Sequence, residues 1–252
     1  MHFHFISSEN PEAKKAQNNL IKRYKQSDIS NCDVIIAIGG DGMLLKALRY
    51  SIDLNVPVFG LNKGNVGFLM NELSINGLDE RVKNANKVNM YPLKMKARKL
   101  NGKNIEETAV NEVSLSRQTH QAAHLKVYID AKERLNELVC DGILVSTPIG
   151  STAYNLSAHG PIIPLNANIL ALTPISAFRP RRWKGALLPE NVRINIDILD
   201  FKRRPVSATA DNIEVRDIKN IEISADRTKT LTMLHDPGHS LDERIMKEQF
   251  LT

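Results

Sequence analysis

The fold is decided by the stretch Val34-Ile35-Ile36-Ala37-Ile38-Gly39-Gly40-Asp41-Gly42-Met43, near the start of this 252-residue chain. Its first five residues are apolar and mostly β-branched, which is typical of a strand buried on both faces of a parallel sheet. Three glycines then predict a tight turn. Residues 43–52, which are mainly helix formers with one apolar face, predict a helix after it. The turn therefore lies at a helix N-terminus, where backbone donors and the helix dipole favour an anion.

Asp41 is the unusual residue of this turn, because a carboxylate does not suit a loop that only binds phosphate. Phosphoryl transfer does use a carboxylate near the phosphates, either to accept the proton of the attacking hydroxyl or to hold the metal ion that neutralises them. The alternative is an ordinary turn aspartate or helix N-cap. Taken alone, the turn leaves both interpretations open.

Helical and strand patterns alternate in the first part of the chain. Residues 3–6 predict a strand, Asn10 caps a helix that runs to about Gln26, and residues 56–60 predict a third strand after the Asp41 turn. Such a βαβ series implies a parallel sheet whose ligands bind beyond the carboxyl ends of the strands. We therefore expect an α/β domain in residues 1–90.

From about Met90 the pattern changes to period-two alternation, which is typical of half-buried strands. The clearest runs are 93–98, 125–129 and 192–198. Further strands are expected at 206–210, 213–216, 219–224 and 229–235. We therefore expect a β-rich domain in residues 91–239, followed by a C-terminal helix in 240–252 that starts at a capping box and joins the first domain.

Composition narrows the class of protein. With 34 basic and 28 acidic side chains, the net charge of +6 favours phosphorylated partners. Cys32 and Cys140 are far apart, which argues against a disulfide framework or a zinc site and suits a reducing compartment. No stretch approaches the roughly 20 apolar residues that span a bilayer, and the N-terminus does not match a signal peptide. We expect a cytoplasmic protein without membrane contact and without a metal site of its own.

Several motifs together resemble the NAD kinases, which phosphorylate the 2′-hydroxyl of the adenosine ribose of NAD to give NADP. The resemblance rests on Gly39-Gly40-Asp41-Gly42, Gly67-Phe68-Leu69, Asn111-Glu112, and the run from Asp141 to Tyr154 continued by Ser157 and Gly160-Pro161. Diacylglycerol kinases and phosphofructokinases share the first motif, whereas the part from Ser146 to Tyr154 is far more specific.

The resemblance implies roles for individual residues. Asp41 is expected to be the base that takes the 2′-hydroxyl proton. Asn111 and Glu112 would hold ribose hydroxyls or the nicotinamide end, and Asp141 the other moiety of NAD. The phosphate loop comprises Gly39, Gly40 and Gly42. The implied NAD-binding set is Asp41, Gly42, Phe68, Asn111, Glu112, Asp141, Thr152, Ala153, Tyr154, Asn155, Ser157, Ala177 and Asn212.

The resemblance also implies partners, and the sequence departs from the family pattern at two positions. The donor is expected to be ATP or polyphosphate, with Mg²⁺ delivered by the nucleotide, and the assembly a homodimer or homotetramer. Met43 stands where most members have threonine, which removes a hydroxyl near the phosphates. Asn212 stands where the family often has a Gly-Gln pair.

Three other functions are alternatives to an NAD kinase: nucleic-acid binding, lipid phosphorylation and non-catalytic NAD binding. Residues 178–184 combine four cations with the only tryptophan, Trp183, as in a nucleic-acid contact or a solvated basic loop. Nucleic-acid binding leaves the Asp41 turn without a role. A lipid kinase would need a membrane-binding patch, and a non-catalytic NAD-binding regulator would not need a base. We therefore predict an NAD kinase that does not bind nucleic acid.

Overall fold

The computed structural model describes residues 1–62 and 69–238. The strands are β1 (Phe3–Ser7), β2 (Val34–Ile38), β3 (Val58–Asn62), β4 (Asn71–Glu72), β5 (Asn86–Met90), β6 (Leu93–Lys99), β7 (Asn104–Ala109), β8 (Glu112–Arg117), β9 (Ala123–Ile129), β10 (Lys132–Cys140), β11 (Gly142–Ser146), β12 (Ile169–Ile175), β13 (Ala186–Pro189), β14 (Ile194–Leu199), β15 (Val206–Ala210), β16 (Ile213–Val215), β17 (Ile218–Ala225) and β18 (Leu231–His235). The α-helices are α1 (Pro11–Tyr24), α2 (Asp41–Leu54), α3 (Leu78–Asn84) and α4 (Tyr154–Ser157). Short 3₁₀ turns cover Ile29–Asn31 and Ile149–Thr152.

The chain divides into two compact units. The first comprises the described residues of Met1–Met90 and those from Thr228 to Gly238, and the second comprises Tyr91–Arg227. The chain passes from the first unit to the second after Met90 and returns after Arg227. The expected domain bounds, 1–90 and 91–239, stay predictions. The predicted helix in 240–252 and the predicted site residue Phe68 lie outside the described residues.

The first unit is built on a mostly parallel sheet in the order β1-β2-β3-β18-β5, with β4 beside β3. The strands β1, β2, β3 and β18 run parallel, and β5 is antiparallel to β18. All five residues of β2 are buried, as expected for a strand with both faces covered. The helix α1 begins where the sequence predicts, because the Asn10 side chain accepts a hydrogen bond from the Glu12 N–H at 2.8 Å. It ends at Tyr24.

The strand predicted at 229–235 forms as β18, but in the first sheet instead of the β-rich unit. It pairs with β3 on one side and β5 on the other. Just beyond it, Asp236 forms a two-pronged ion pair with Arg81, at 3.0 and 2.5 Å, and its N–H donates to Asn71 Oδ1 at 2.8 Å. The alternating sequence of this segment predicted a strand correctly, but the strand belongs to a different sheet from the one expected. The backbone hydrogen bonds that join neighbouring strands do not depend on side-chain identity, so the sequence of a strand does not specify its partner.

The second unit consists of two antiparallel sheets with a shared apolar core. Their orders are β10-β9-β14-β17-β6-β7 and β13-β12-β11-β8-β15-β16. Alternate residues of β9 and β14 are buried, which confirms the period-two pattern, and β11 is buried throughout. The predicted combination of an α/β domain with a β-rich domain is confirmed. In the described ranges, no helix is both long enough and apolar enough to cross a bilayer.

Candidate active site

The glycine turn after β2 has the predicted form, except that the helix α2 begins at Asp41 and not at residue 43. Gly39 has φ +154°, and its N–H donates to Leu61 O at 3.0 Å. A Cβ at Gly39 would lie 3.0 Å from Ser8 Oγ and 3.1 Å from Met43 Cβ. The fold itself therefore requires glycine at this position.

Gly40 and Gly42 differ from Gly39 in this respect. Both are exposed, and a Cβ on either would meet nothing within 4 Å among the described residues. Packing within that part of the chain gives no reason for glycine there. Bare backbone at the start of a helix does allow a ligand phosphate to approach the amide groups closely.

Asp41 is the first residue of α2 and is partly buried. Its Oδ1 accepts a hydrogen bond from the Leu69 N–H at 3.2 Å, which restricts the orientation of the carboxylate. Met43 is buried in the same helix, beside Gly39. Met43 therefore takes part in packing the turn.

A cavity of about 140 Å³ lies at the carboxyl ends of the first three strands, a volume of several water molecules at about 30 Å³ each. Its polar lining includes Ser8, Asn10, Glu12, Gly39, Gly40 and Asn62. The N-termini of α1 and α2 both border this cavity. Two helix N-termini at one cavity favour an anionic group.

In the second unit, the predicted pair Asn111 and Glu112 lies at the start of β8, where Glu112 pairs with Ser146 of β11. The Asp211 carboxylate accepts hydrogen bonds from the N–H groups of Val110 at 2.8 Å, Asn111 at 2.9 Å and Glu112 at 3.4 Å. The backbone of residues 110–112 is therefore held by a side chain that is about 100 positions away in sequence.

The loop after β11 packs against the same backbone. The Thr147 hydroxyl donates to Val110 O at 2.7 Å and to Asn111 O at 3.1 Å, and the Thr147 N–H donates to Asn111 O at 2.9 Å. A Cβ at Gly150 would lie only 2.2 Å from Asn111 O. The backbone of Asn111 and the start of the segment 147–154 are thus in direct contact.

Two side-chain acceptors in this cluster are buried. Asn111 Oδ1 and Glu112 Oε2 make no hydrogen bond within the described residues. Burial, and secondarily the negative charge of Asp211, raises the pKa of Glu112 from 4.5 to about 7. Buried acceptors without a partner are costly, and a ligand with hydroxyl donors would satisfy both of them.

The remaining predicted positions of this segment differ in exposure. Thr152 and Ala153 are partly buried, and Tyr154 and Ser157 are exposed. Asn155 is fully buried; its amide donates to Ser151 O and Pro161 O and accepts from the Thr173 hydroxyl. The Asn155 side chain therefore shapes the loop.

Comparison with known proteins identifies the family. Residues 1–87 match the model of the ATP-NAD kinase N-terminal domain, and residues 110–233 match that of the ATP-NAD kinase C-terminal domain. An NAD kinase of Caulobacter vibrioides is 53% identical over 246 residues, which cover 98% of this chain and 95% of the relative. The chain belongs to the NAD kinase family.

Other NAD kinases are similar to the chain over nearly its whole length. The protein of Hyphomonas neptunium is 51% identical, with 98% of this chain and 96% of the relative covered. Among solved structures, yeast NADH kinase complexed with NADH has a TM-score of 0.85 at 20% identity, covering 100% of this chain and 88% of that one. An Archaeoglobus fulgidus NAD kinase in complex with ATP has a TM-score of 0.76 at 22% identity, with 98% and 99% covered. These structures confirm the NAD kinase fold, and the lipid-kinase and regulator alternatives have no support.

Residues 110–112, Thr147 and Asp211 form what is called the Asn111 cluster below. Not every position implied by the NAD kinase resemblance belongs to it. Asp141 precedes β11 and pairs with Arg117, with Nε 2.6 Å from Oδ1. It lies at the opposite end of β11 from Ser146, about 16 Å away at about 3.3 Å per residue. Ala177 follows β12, whose last residue Ile175 pairs with Gly142 at that same end.

Asn212 is exposed at the turn between β15 and β16. Its neighbour Asp211 makes the contacts with residues 110–112, and the sequence prediction missed it, as it missed Thr147. Thr147 lies within the motif from Asp141 to Tyr154 and Asp211 precedes the named Asn212, but the contacts of both depend on pairing across the sheet. Within residues 1–62 and 69–238, no group of three or more His, Cys, Asp or Glu side chains could hold a metal ion.

Proposed function

We propose that this chain transfers the terminal phosphoryl group of ATP to the 2′-hydroxyl of the adenosine ribose of NAD, forming NADP. The observation that carries the proposal is 53% identity to an NAD kinase over 98% of the chain. The chemistry of the two units agrees with that reaction.

Asp41 serves as the general base. A ribose hydroxyl is a weak nucleophile until a base accepts its proton, and phosphoryl transfer otherwise depends on positioning and charge neutralisation. The hydrogen bond from the Leu69 N–H to Oδ1 restricts rotation of the Asp41 carboxylate. A carboxylate held in one orientation is suited to accept a proton from a bound hydroxyl.

NAD is held chiefly by the second unit. Asn111 Oδ1 and Glu112 Oε2 accept hydrogen bonds from ribose hydroxyls, which satisfies two buried acceptors. The exposed ring of Tyr154 offers a flat surface for a base, and Thr152 a hydroxyl. The other positions implied by the resemblance, Gly42, Phe68, Asp141, Ala153, Asn155, Ser157, Ala177 and Asn212, remain proposed members of the site.

The donor phosphates bind at the glycine turn. Gly40 and Gly42 leave backbone exposed at the start of α2, and the cavity beside Gly40 is bordered by two helix N-termini. Mg²⁺ arrives with ATP and retains waters, as is usual for this ion. Polyphosphate is the alternative donor.

The test is production of NADP by the purified protein from NAD, ATP and Mg²⁺, with polyphosphate as a second donor. Asp41→Asn should abolish turnover while NAD binding is largely retained. Asp53→Asn is the matched control, because Asp53 lies on the same helix with its side chain 84% exposed. No NADP with either donor would refute the kinase, and near-normal turnover by Asp41→Asn would refute the base.

Assembly and location are also proposed. A homodimer or homotetramer would let one copy contribute Asp141 and Ala177 to a site whose Asn111 cluster belongs to another, since the two groups are about 16 Å apart in one chain. Light scattering of the purified protein tests this. A cytoplasmic location is supported by two buried cysteines, Cys32 and Cys140, that are not disulfide-bonded.

A further inference from the structure

The backbone of residues 110–112 is held by one carboxylate through three hydrogen bonds. Asp211 Oδ2 accepts from the Val110 N–H at 2.8 Å, and Oδ1 accepts from the N–H groups of Asn111 at 2.9 Å and Glu112 at 3.4 Å. The Asp211 N–H in turn donates to Glu112 O at 3.1 Å. Hydrogen bonds to an ionised acceptor are stronger than neutral ones, so this side chain restrains the segment firmly.

The position of Asp211 follows from the sheet. The strand β15 pairs with β8 so that Ala210 lies opposite Val113, and the next residue, Asp211, begins the turn to β16. Its φ is +51°, a left-handed conformation that aspartate and asparagine tolerate better than most residues. The turn thus directs the carboxylate back onto the start of β8.

We propose that Asp211 is a positioning residue of the NAD site. It fixes the backbone of residues 110–112 and thereby orients Asn111 Oδ1 and Glu112 Oε2, which have no partner among the described residues, toward the ribose hydroxyls. The inference rests on the proposed function, because it assumes that these two side chains bind NAD. Asp211 acts through them, and its own carboxylate is occupied by backbone donors.

The charge of Asp211 has a second effect on the same site. Glu112 faces uncharged Ser146 on β11, and Asp211 is the charged group whose field acts on it. Together with burial, this field raises the pKa of Glu112. A change at Asp211 should therefore alter the pH dependence of NAD binding as well as its strength.

Thr147 restrains the same backbone by binding the carbonyl groups of Val110 and Asn111. Its hydroxyl donates to Val110 O at 2.7 Å and Asn111 O at 3.1 Å, and accepts from the Gly150 N–H at 3.2 Å. Asp211 thus binds the N–H groups of this segment, and Thr147 binds its carbonyl groups. Thr147 therefore provides an independent test of the same positioning role.

The decisive experiment measures steady-state kinetics of Asp211→Asn over a range of pH. Asparagine tolerates the same φ but removes the charge and replaces one acceptor by a donor. We expect the KM for NAD to rise about tenfold, as for loss of a charge-assisted hydrogen bond, with the KM for ATP unchanged. The midpoint of the pH profile of kcat/KM for NAD should move to lower pH, because the repulsion that raises the Glu112 pKa is gone.

Asp130→Asn is the matched control. Asp130 also has a left-handed φ, of +49°, in a turn of the same unit, and its carboxylate accepts from the Arg193 N–H at 2.9 Å. This variant should keep the KM for NAD and the pH midpoint of the wild type. A loss of kcat or stability in Asp211→Asn, with an unchanged KM for NAD and an unchanged pH midpoint, would overturn the positioning role.

A second pair of variants keeps the proposal testable if Asp211→Asn does not fold. Thr147→Val removes the hydroxyl at similar volume and should raise the KM for NAD, whereas Thr147→Ser should restore it. Equal KM values for NAD in the two variants would overturn the inference.

Calorimetric titration of NAD separates this inference from the proposed function. If the wild type binds NAD but makes no NADP, the kinase proposal fails, and weaker NAD binding by Asp211→Asn still supports positioning. If the wild type makes NADP and Asp211→Asn binds NAD normally, the kinase stands and the positioning role is wrong. A wild type that does not bind NAD overturns both.

Discussion

Replacing Glu112 by glutamine should stabilise the folded protein at alkaline pH, although it removes a residue of the proposed NAD site. The Glu112 residue is 9% exposed, and its Oε2 has no partner among the described residues. Burial and the charge of Asp211 raise the pKa of its carboxyl group from 4.5 to about 7. Ionised Glu112 is therefore a cost to the folded state, and glutamine has the same shape without the charge.

The sign and size of this change in the free energy of unfolding follow from the linkage between proton binding and folding. A group whose pKa is higher in the folded state contributes stability that is present below its unfolded pKa, here 4.5, and is lost as pH rises through about 7. Each pH unit between these values is worth about 1.4 kcal/mol, which gives roughly 3 kcal/mol for complete ionisation. Because Glu112 is so little exposed, solvent screening reduces this value only slightly.

The assay is urea unfolding followed by circular dichroism at about pH 4.5 and about pH 8.5, for the wild type and Glu112→Gln. The stability of the variant relative to the wild type should increase by roughly 2 to 3 kcal/mol between the two conditions. Glu214→Gln, on β16 of the same sheet with a side chain 45% exposed, should show no such change. A stability difference between Glu112→Gln and the wild type that is the same at both pH values would refute the reasoning.

Three further predictions test the glycine turn before α2, the loop after β11 and the ion pair that follows β18. Gly40→Ala should leave the unfolding midpoint unchanged but raise the KM for ATP, because its Cβ meets no described atom within 4 Å yet crowds the proposed phosphate site. Gly150→Ala should lower both thermal stability and NAD affinity, because its Cβ would lie 2.2 Å from Asn111 O; normal values of both would contradict the close approach. Arg81→Met should cost about 3 to 5 kcal/mol in urea unfolding, because it leaves Asp236 with its side chain 13% exposed and without its ion-pair partner. Simultaneous replacement of Asp236 by leucine should recover part of that loss.

Local patterns predicted much of the first unit. The sequence from Val34 to Met43 contains the information for a buried strand, a turn and a helix, because β-branched runs, glycines and helix formers act within a few residues. The turn alone left Asp41 open between a reacting carboxylate and an ordinary turn aspartate, and only the resemblance to NAD kinases favoured the role of a base, which stays a prediction. The helix began two residues earlier than predicted, since aspartate and glycine are poor helix formers but are accepted in the first turn.

The Asn111 cluster was predicted only in part. The motifs named Asn111 and Glu112, but nothing near them in sequence indicates that Asp211 holds their backbone, because that contact depends on the pairing of β8 with β15. The motifs assigned Asp141 to the other moiety of NAD, and this role stays a prediction. Only the fold shows that β11 places Asp141 about 16 Å from Ser146.

The sequence by itself determined the strand, turn and helix around Asp41, the change from helices to alternating strands, and the chemical groups available for phosphoryl transfer. These depend on residue type and period, which are local properties. Only the tertiary structure decided that β18 returns to the first sheet and that Asp211 restrains residues 110–112. It also decided that two buried acceptors there have no partner among the described residues. Hydrogen bonds and burial between residues about 100 positions apart depend on strand order, and residue periodicity carries no information about strand order.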